Sequence, residues 1–159
     1  GELRDVLSYS VYLDENGEII RIGNEDHSFG YRHSMFSDKK YIIIESAFTL
    51  KPGNRAEIKS RMADLNRKRR EKQPLALPNA GSVFKRPEGH YAGALIEQCG
   101  LMGYRIGGAC VSTKHAGFIV NDRNGTSDDI ERLMEYVKET VYNETGVALQ
   151  PEIKIIGEK

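Results

Sequence analysis

The 159-residue sequence contains no tryptophan, only two cysteines and five prolines, and no excess of charge of either sign. Each shortage excludes something. Cys99 and Cys110 form no CxxC or CxxH pair and are too few for a disulfide framework, so free thiols in a reducing compartment are expected. The 23 Lys and Arg balance 23 Asp and Glu, a net charge of +0 that removes any global field drawing the chain to nucleic acid or an anionic membrane. No apolar run approaches the roughly 18 residues of a membrane-spanning helix, and the start lacks the charged-then-apolar pattern of a secretory signal. Neither His90 nor His115 has a second ligand at metal spacing, so no metal is expected. There is no internal repeat and no low-complexity tract.

What is present suits a globular protein. With 39% hydrophobic residues the chain can bury one core and a small appendage. Residues 7–22 alternate apolar and polar around Asp14-Glu15-Asn16-Gly17. Asn-Gly between two such runs predicts a hairpin, because both turn positions tolerate positive φ. Residues 24–38 read as irregular, and 41–50 as an isoleucine-rich strand broken by Pro52-Gly53. Asn54, with Glu57 three residues on, predicts a helix start. That helix runs to about Lys72, with Ile58, Met62 and Leu65 spaced as one buried stripe.

A short helix over 91–99 ends at Gly100, and strands are expected over 105–111 and 116–120. Ser127 is expected to cap a second long helix, in which Ile130, Leu133, Met134, Val137 and Val141 recur at helical spacing. Gly146 ends it, and 147–156 reads as a final strand. Helices alternating with strands make the second piece an α/β two-layer domain. The expected fold class is α+β, with 1–38 as the tail of one domain and 39–159 as a second.

The chemistry concentrates in Pro78-Asn79-Ala80-Gly81-Ser82-Val83-Phe84-Lys85-Arg86-Pro87. Gly81 lets the backbone approach a ligand with no Cβ in the way. Ser82 can present its Oγ, and Lys85 and Arg86 can meet negative charge. Taken alone, this reads more readily as a solvated turn than as a site. Two other stretches accompany it: Phe29-Gly30-Tyr31-Arg32-His33-Ser34-Met35-Phe36 and Pro151-Glu152-Ile153-Lys154-Ile155-Ile156-Gly157. A hydroxyl donor, a fixed cation and a carboxylate thus come from three distant parts of the chain.

These stretches resemble the UDP-N-acetylenolpyruvoylglucosamine reductase family. Its patterns are Tyr-Arg-x-Ser-x-Phe, Gly-Ser-x-Phe-Lys-x-Pro, Lys-His-Ala-Gly-Phe-x-x-Asn and a closing Pro-Glu-Val/Ile. Here they stand in that order as Tyr31–Phe36, Gly81–Pro87, Lys114-His115-Ala116-Gly117-Phe118-Ile119-Val120-Asn121 and Pro151–Ile153. The resemblance implies a cytoplasmic flavoenzyme that reduces UDP-N-acetylglucosamine enolpyruvate with FAD and NADPH in peptidoglycan synthesis. It also implies that this chain, opening at Gly1, is a C-terminal fragment. Residues 1–38 would be the remnant of the FAD-binding domain and 39–159 the substrate domain, with most of the flavin site in a separate N-terminal half.

Carried over motif by motif, the resemblance makes Arg32, Ser82 and Glu152 catalytic: Arg32 and Glu152 hold the enolate and Ser82 donates the proton. It makes Lys72, Asn79, Lys85, Arg86 and Asn121 candidates for substrate binding, Lys72 toward the diphosphate. Tyr31, Arg32 and Gly81 are candidates for the cofactor, Tyr31 either packing on the flavin or orienting Arg32. His115 reads as structural, beside the strand of Phe118.

Two departures stand out. Arg86 occupies a position where many family members have asparagine. The turn between strand 41–50 and the next helix is also short, where some members insert a loop whose tyrosine closes over the substrate. Two other readings compete: a nucleotide-sugar-binding module without catalysis, and an RNA-binding domain using the basic run from Arg67 to Lys72. The balanced charge and the lack of an aromatic strand motif argue against RNA.

Overall fold

The computed structural model describes residues 1–157. Its contacts divide the chain into two compact units, Gly1–Ile58 and Lys59–Lys159. The expected boundary at 38/39 lies earlier, because the isoleucine-rich strand pairs backward with the first hairpin. That hairpin joins β1 (Leu7–Leu13) to β2 (Ile19–Gly23), with Gly17 at φ +82 in the turn. β3 (Ile42–Phe48) then adds antiparallel to β1, giving the order β2-β1-β3.

The division falls within α1 (Arg55–Lys72). Asn54 starts this helix as its sequence predicts, its Oδ1 accepting from the amides of Ala56 (2.9 Å) and Glu57 (3.3 Å). The expected buried stripe is not observed: Ile58, Met62 and Leu65 stand 48%, 58% and 57% exposed. α1 buries no residue, and its surface is laced by Arg67 pairs to Glu71 and Asp64, one turn away in each direction.

The second unit is an antiparallel sheet packed against helices. Its order is β4 (Asn79–Ser82), β7 (Phe118–Asn121), β6 (Ala109–Val111), β5 (Arg105–Ile106). α2 (Ala92–Gln98) and α3 (Ser127–Thr145) complete it, α3 lying on β5 and β6 and α2 on α3. The apolar stripe of α3 drives this packing: Leu133, Met134, Val137 and Val141 are buried among Val83, Phe84, Ile96 and Val111. The class is α+β, as the sequence implies.

Three boundaries differ from expectation, each for a local reason. The single strand over 105–111 is a hairpin, because Gly107 (φ +53) and Gly108 make a two-residue turn. The cap of α3 is Thr126 rather than Ser127. Its hydroxyl accepts from Asp129 N (3.1 Å) while Asp129 Oδ2 accepts from Thr126 N (3.0 Å), a reciprocal capping box. The final strand over 147–156 contracts to one bridge, Phe84 opposite Pro151. Leu149 is buried there, but Ile155 and Ile156 point into solvent at 56% and 92% exposure.

Gly108 and Gly125 bring two backbones into contact. A Cβ on Gly108 would stand 2.2 Å from Gly125 N and 2.4 Å from its Cα. Gly108→Ala is therefore expected to destabilise the second unit by about 3 kcal/mol, since rigid backbone must move. Chemical denaturation would read this, and an unchanged midpoint would contradict the close approach.

Candidate functional site

The Ser82 segment is built by three neighbours. Register shifts between Asn79 and Ser82, and Gly81 at φ +87 takes up the irregularity in a conformation that disfavours side chains. A Cβ on Gly81 would meet nothing within 4 Å, so its backbone faces open space. Val83 N then donates to Gly117 O (2.9 Å), while Val83 O accepts from Glu152 N (2.7 Å). Lys85 N donates to Gln150 O (2.8 Å). These bonds flank the Phe84–Pro151 pair, where the missing proline N–H costs nothing. Ser82 and Glu152 are thereby brought onto adjoining segments, with Val83 and Phe84 buried beneath at 2% and 4% exposure.

Several expected ligand residues hold their own loops. The Asn79 carboxamide donates to Leu77 O (2.8 Å) and accepts from Gly81 N (3.0 Å), shaping the approach to Ser82. Asn121 grips Gly125 in both directions at 2.7 Å. His115 is structural in the way its motif implies. Its Nδ1 accepts from Gly117 N (3.1 Å) and its ring meets Phe118 edge-on at 5.0 Å. That fixes Gly117, the residue whose carbonyl holds Val83.

Lys85 and Arg86 line a cleft of about 440 Å³ together with His90, Gly146 and Gln150. Arg86 donates to His90 O (3.2 Å), and its guanidinium lies 4.0 Å from the centre of the Tyr91 ring. Lys72 is the exposed last residue of α1. A larger cleft of about 890 Å³ runs along α1 to Lys114 but includes neither Ser82 nor Glu152.

In the first unit, Tyr31 and Arg32 line a separate cleft of about 670 Å³. Arg32 holds φ +53, and its guanidinium sits 5.2 Å from the Tyr31 ring centre. Among the described residues no group of three His, Cys, Asp or Glu side chains could hold a metal ion. No described helix is long and apolar enough to cross a membrane.

Sequence reasoning missed two features. His27 is 2% exposed beneath the Tyr31-Arg32 loop; its setting Asn24-Glu25-Asp26-His27-Ser28-Phe29 carries no sequence signal of burial. Arg105 and Asp122 form a bidentate pair, both bonds 2.6 Å, tying β5 to the residue after β7.

Fold and site together define a class: an α+β domain that sets a serine and a carboxylate on adjoining segments, with cations close by. The model of the C-terminal domain of UDP-N-acetylenolpyruvoylglucosamine reductase matches residues 73–156. The chain is 50% identical to the UDP-N-acetylenolpyruvoylglucosamine reductase of Caldanaerobacter subterraneus subsp. tengcongensis and 52% identical to that of Exiguobacterium sibiricum. These alignments cover 99% and 100% of this chain and 52% of each relative. A crystal structure of UDP-N-acetylenolpyruvylglucosamine reductase from Thermus caldophilus matches with a TM-score of 0.80 at 32% identity, over 96% of this chain and 54% of that one. The chain belongs to the UDP-N-acetylenolpyruvoylglucosamine reductase family. It spans about half the length of the curated relatives it matches.

The Arg105 guanidinium beside Asp122 holds that carboxyl below its ordinary value of 3.8. A depressed folded value means the pair's stabilisation is complete above 3.8 and fades as pH falls through the lower value. Asp122→Asn is therefore expected to melt below the native protein at pH 7, with the gap closing as pH falls below about 4. A gap that stays constant down to about pH 2 would contradict the pair's role.

Proposed function

We propose that this chain is the substrate-binding half of a flavin-dependent reductase that converts UDP-N-acetylglucosamine enolpyruvate to UDP-N-acetylmuramate, with NADPH as reductant. One observation carries the reading. In a chain of this family, the backbone bond from Glu152 N to Val83 O supports the reading by holding the motif serine and the motif carboxylate on adjoining segments. On this reading the first unit, which holds residues 1–38 together with β3, is the tail of a flavin-binding domain, and the second unit is the substrate domain. The enzyme would work in the cytoplasm, and the rest of the flavin site would belong to the half of the relatives that this chain does not match.

The residues present fit a flavin. In the first unit Tyr31 offers an aromatic face and Arg32 a cation on the same cleft; in the second, Gly81 independently offers a bare backbone beside open space. When bound, FAD supplies hydride to one carbon of the enol ether. As that carbon is reduced, negative charge develops on the substrate's carboxylate. Arg32 and Glu152 stabilise that charge, which preorganised groups do best because they need no reorganisation as it forms. For Glu152 this requires a shared proton or hydrogen bond, since a bare carboxylate would repel the enolate.

Ser82 delivers its hydroxyl proton to the neighbouring carbon. A serine is a weak acid, so it works only against a strongly basic enolate in a shielded site. Lys85 and Arg86 offer cations for the diphosphate, and Lys72 a further one. Asn79 and Asn121 act by shaping the loops around the substrate.

Ser82→Ala, in an enzyme that joins this chain to the other half, should leave NADPH-driven bleaching of the flavin unchanged. Reoxidation by the enol ether should slow by about 10²–10⁴. Glu152→Gln should act on the same step. Stopped-flow absorbance separates the two steps, and equal slowing of both would overturn the proton-donor role.

A further inference from the structure

His27 is among the most fully buried large side chains of the chain, yet it belongs to none of the motifs. Its Nδ1 lies 2.7 Å from Gly23 O, so that nitrogen carries a proton and donates to the end of β2. Its Nε2 lies 2.9 Å from Ser10 Oγ on β1, and Ser10 Oγ lies 2.9 Å from Ser46 Oγ on β3. One imidazole is thereby tied to all three strands of the sheet. Both nitrogens are satisfied, as a buried polar group requires.

The faces of the same ring hold the Arg32 loop. Phe29 stacks on it at 5.1 Å with the planes 8° apart, and Phe36 meets it edge-on at 5.6 Å. The His27 carbonyl also accepts from Met35 N (2.8 Å). Phe29 and Phe36 bracket a tight turn in which Gly30 and His33 exchange two backbone bonds, 2.9 and 3.2 Å, with Tyr31 and Arg32 at the tip. Arg32 sits at φ +53, and a non-glycine residue stays there only where its surroundings over-determine the backbone. The His27 ring contacts both sides of this turn and ties them to the sheet, while Tyr12 of β1 adds a contact to Phe36 alone at 5.2 Å.

We infer that His27 is a positioning residue that holds Arg32 in its left-handed conformation and so aims the guanidinium at the substrate's developing charge. This rests on the reductase reading given above. His27 touches no substrate; it acts through Arg32. A misplacement of order 1 Å at such a cation is enough to cost up to about a hundredfold in rate.

The test is a double-mutant cycle in the flavin-loaded enzyme, with hydrogen exchange as a readout independent of turnover. His27→Ala should slow flavin reoxidation by the enol ether about tenfold to a hundredfold while NADPH-driven reduction stays within about twofold. In an Arg32→Ala background the same change should add almost no further loss, because the group it positions is gone. Amide exchange should quicken at His33 and Met35 while Val11 and Arg21, paired in the sheet, stay protected.

Equal losses with and without Arg32, or faster exchange throughout the sheet, would make His27 a purely structural residue and overturn the inference. Should His27→Ala not fold, Phe29→Leu keeps the imidazole and its bonds but removes the stack, and it must show the same coupling to Arg32. Native enzyme that fails to reduce the enol ether at all would sink the reductase reading. Native activity with an unaffected His27→Ala would sink only the role of His27.

Discussion

Val83 hydrogen-bonds in two directions at once, and the rest of the second unit's functional geometry hangs from those bonds. Its amide reaches the Gly117 carbonyl on one side, and its carbonyl takes the Glu152 amide on the other. Backbone groups this deeply buried must be paired, so the chain before and after Val83 has little freedom to slide. Ser82 and Glu152 inherit their place on adjoining segments from this constraint. The sequence separates them by most of the unit; two backbone bonds bring them together.

The supporting cast serves the same constraint. His115 fixes Gly117, and Gly117 receives Val83. Gly93 packs close by, where a Cβ would stand 3.3 Å from Gly117 N and from the imidazole. The stripe of α3 seals the core under Val83 and Phe84. Substituting any of these would reach the site by displacing backbone, without touching a ligand. In the first unit the corresponding role falls to an imidazole: His27 links three strands to the loop that carries Arg32.

What the sequence made legible was local or carried by motif. The α3 stripe could be read because its apolar residues repeat within a few turns, and the Asn16-Gly17 hairpin because turn chemistry is set by adjacent residues. The catalytic candidates were legible through four motifs in order. What escaped depends on partners far along the chain. Nothing near residues 41–50 says that this strand pairs with β1 and carries the first compact unit past residue 38. Ile58, Met62 and Leu65 repeat like a buried face, but periodicity cannot say whether anything covers it. Ile155 and Ile156 promised a strand where only the Phe84–Pro151 bridge forms. His27 gains meaning only from Ser10 and Phe29 folding around it.

The most direct measurement is a crystal structure of the flavin-loaded enzyme containing this chain, bound to UDP-N-acetylglucosamine enolpyruvate. The account predicts Ser82 Oγ about 3–3.5 Å from the alkene carbon that is protonated, with Glu152 within hydrogen-bond reach of the substrate's carboxylate. A substrate seated in the cleft along α1 instead, with its alkene remote from Ser82, would contradict it.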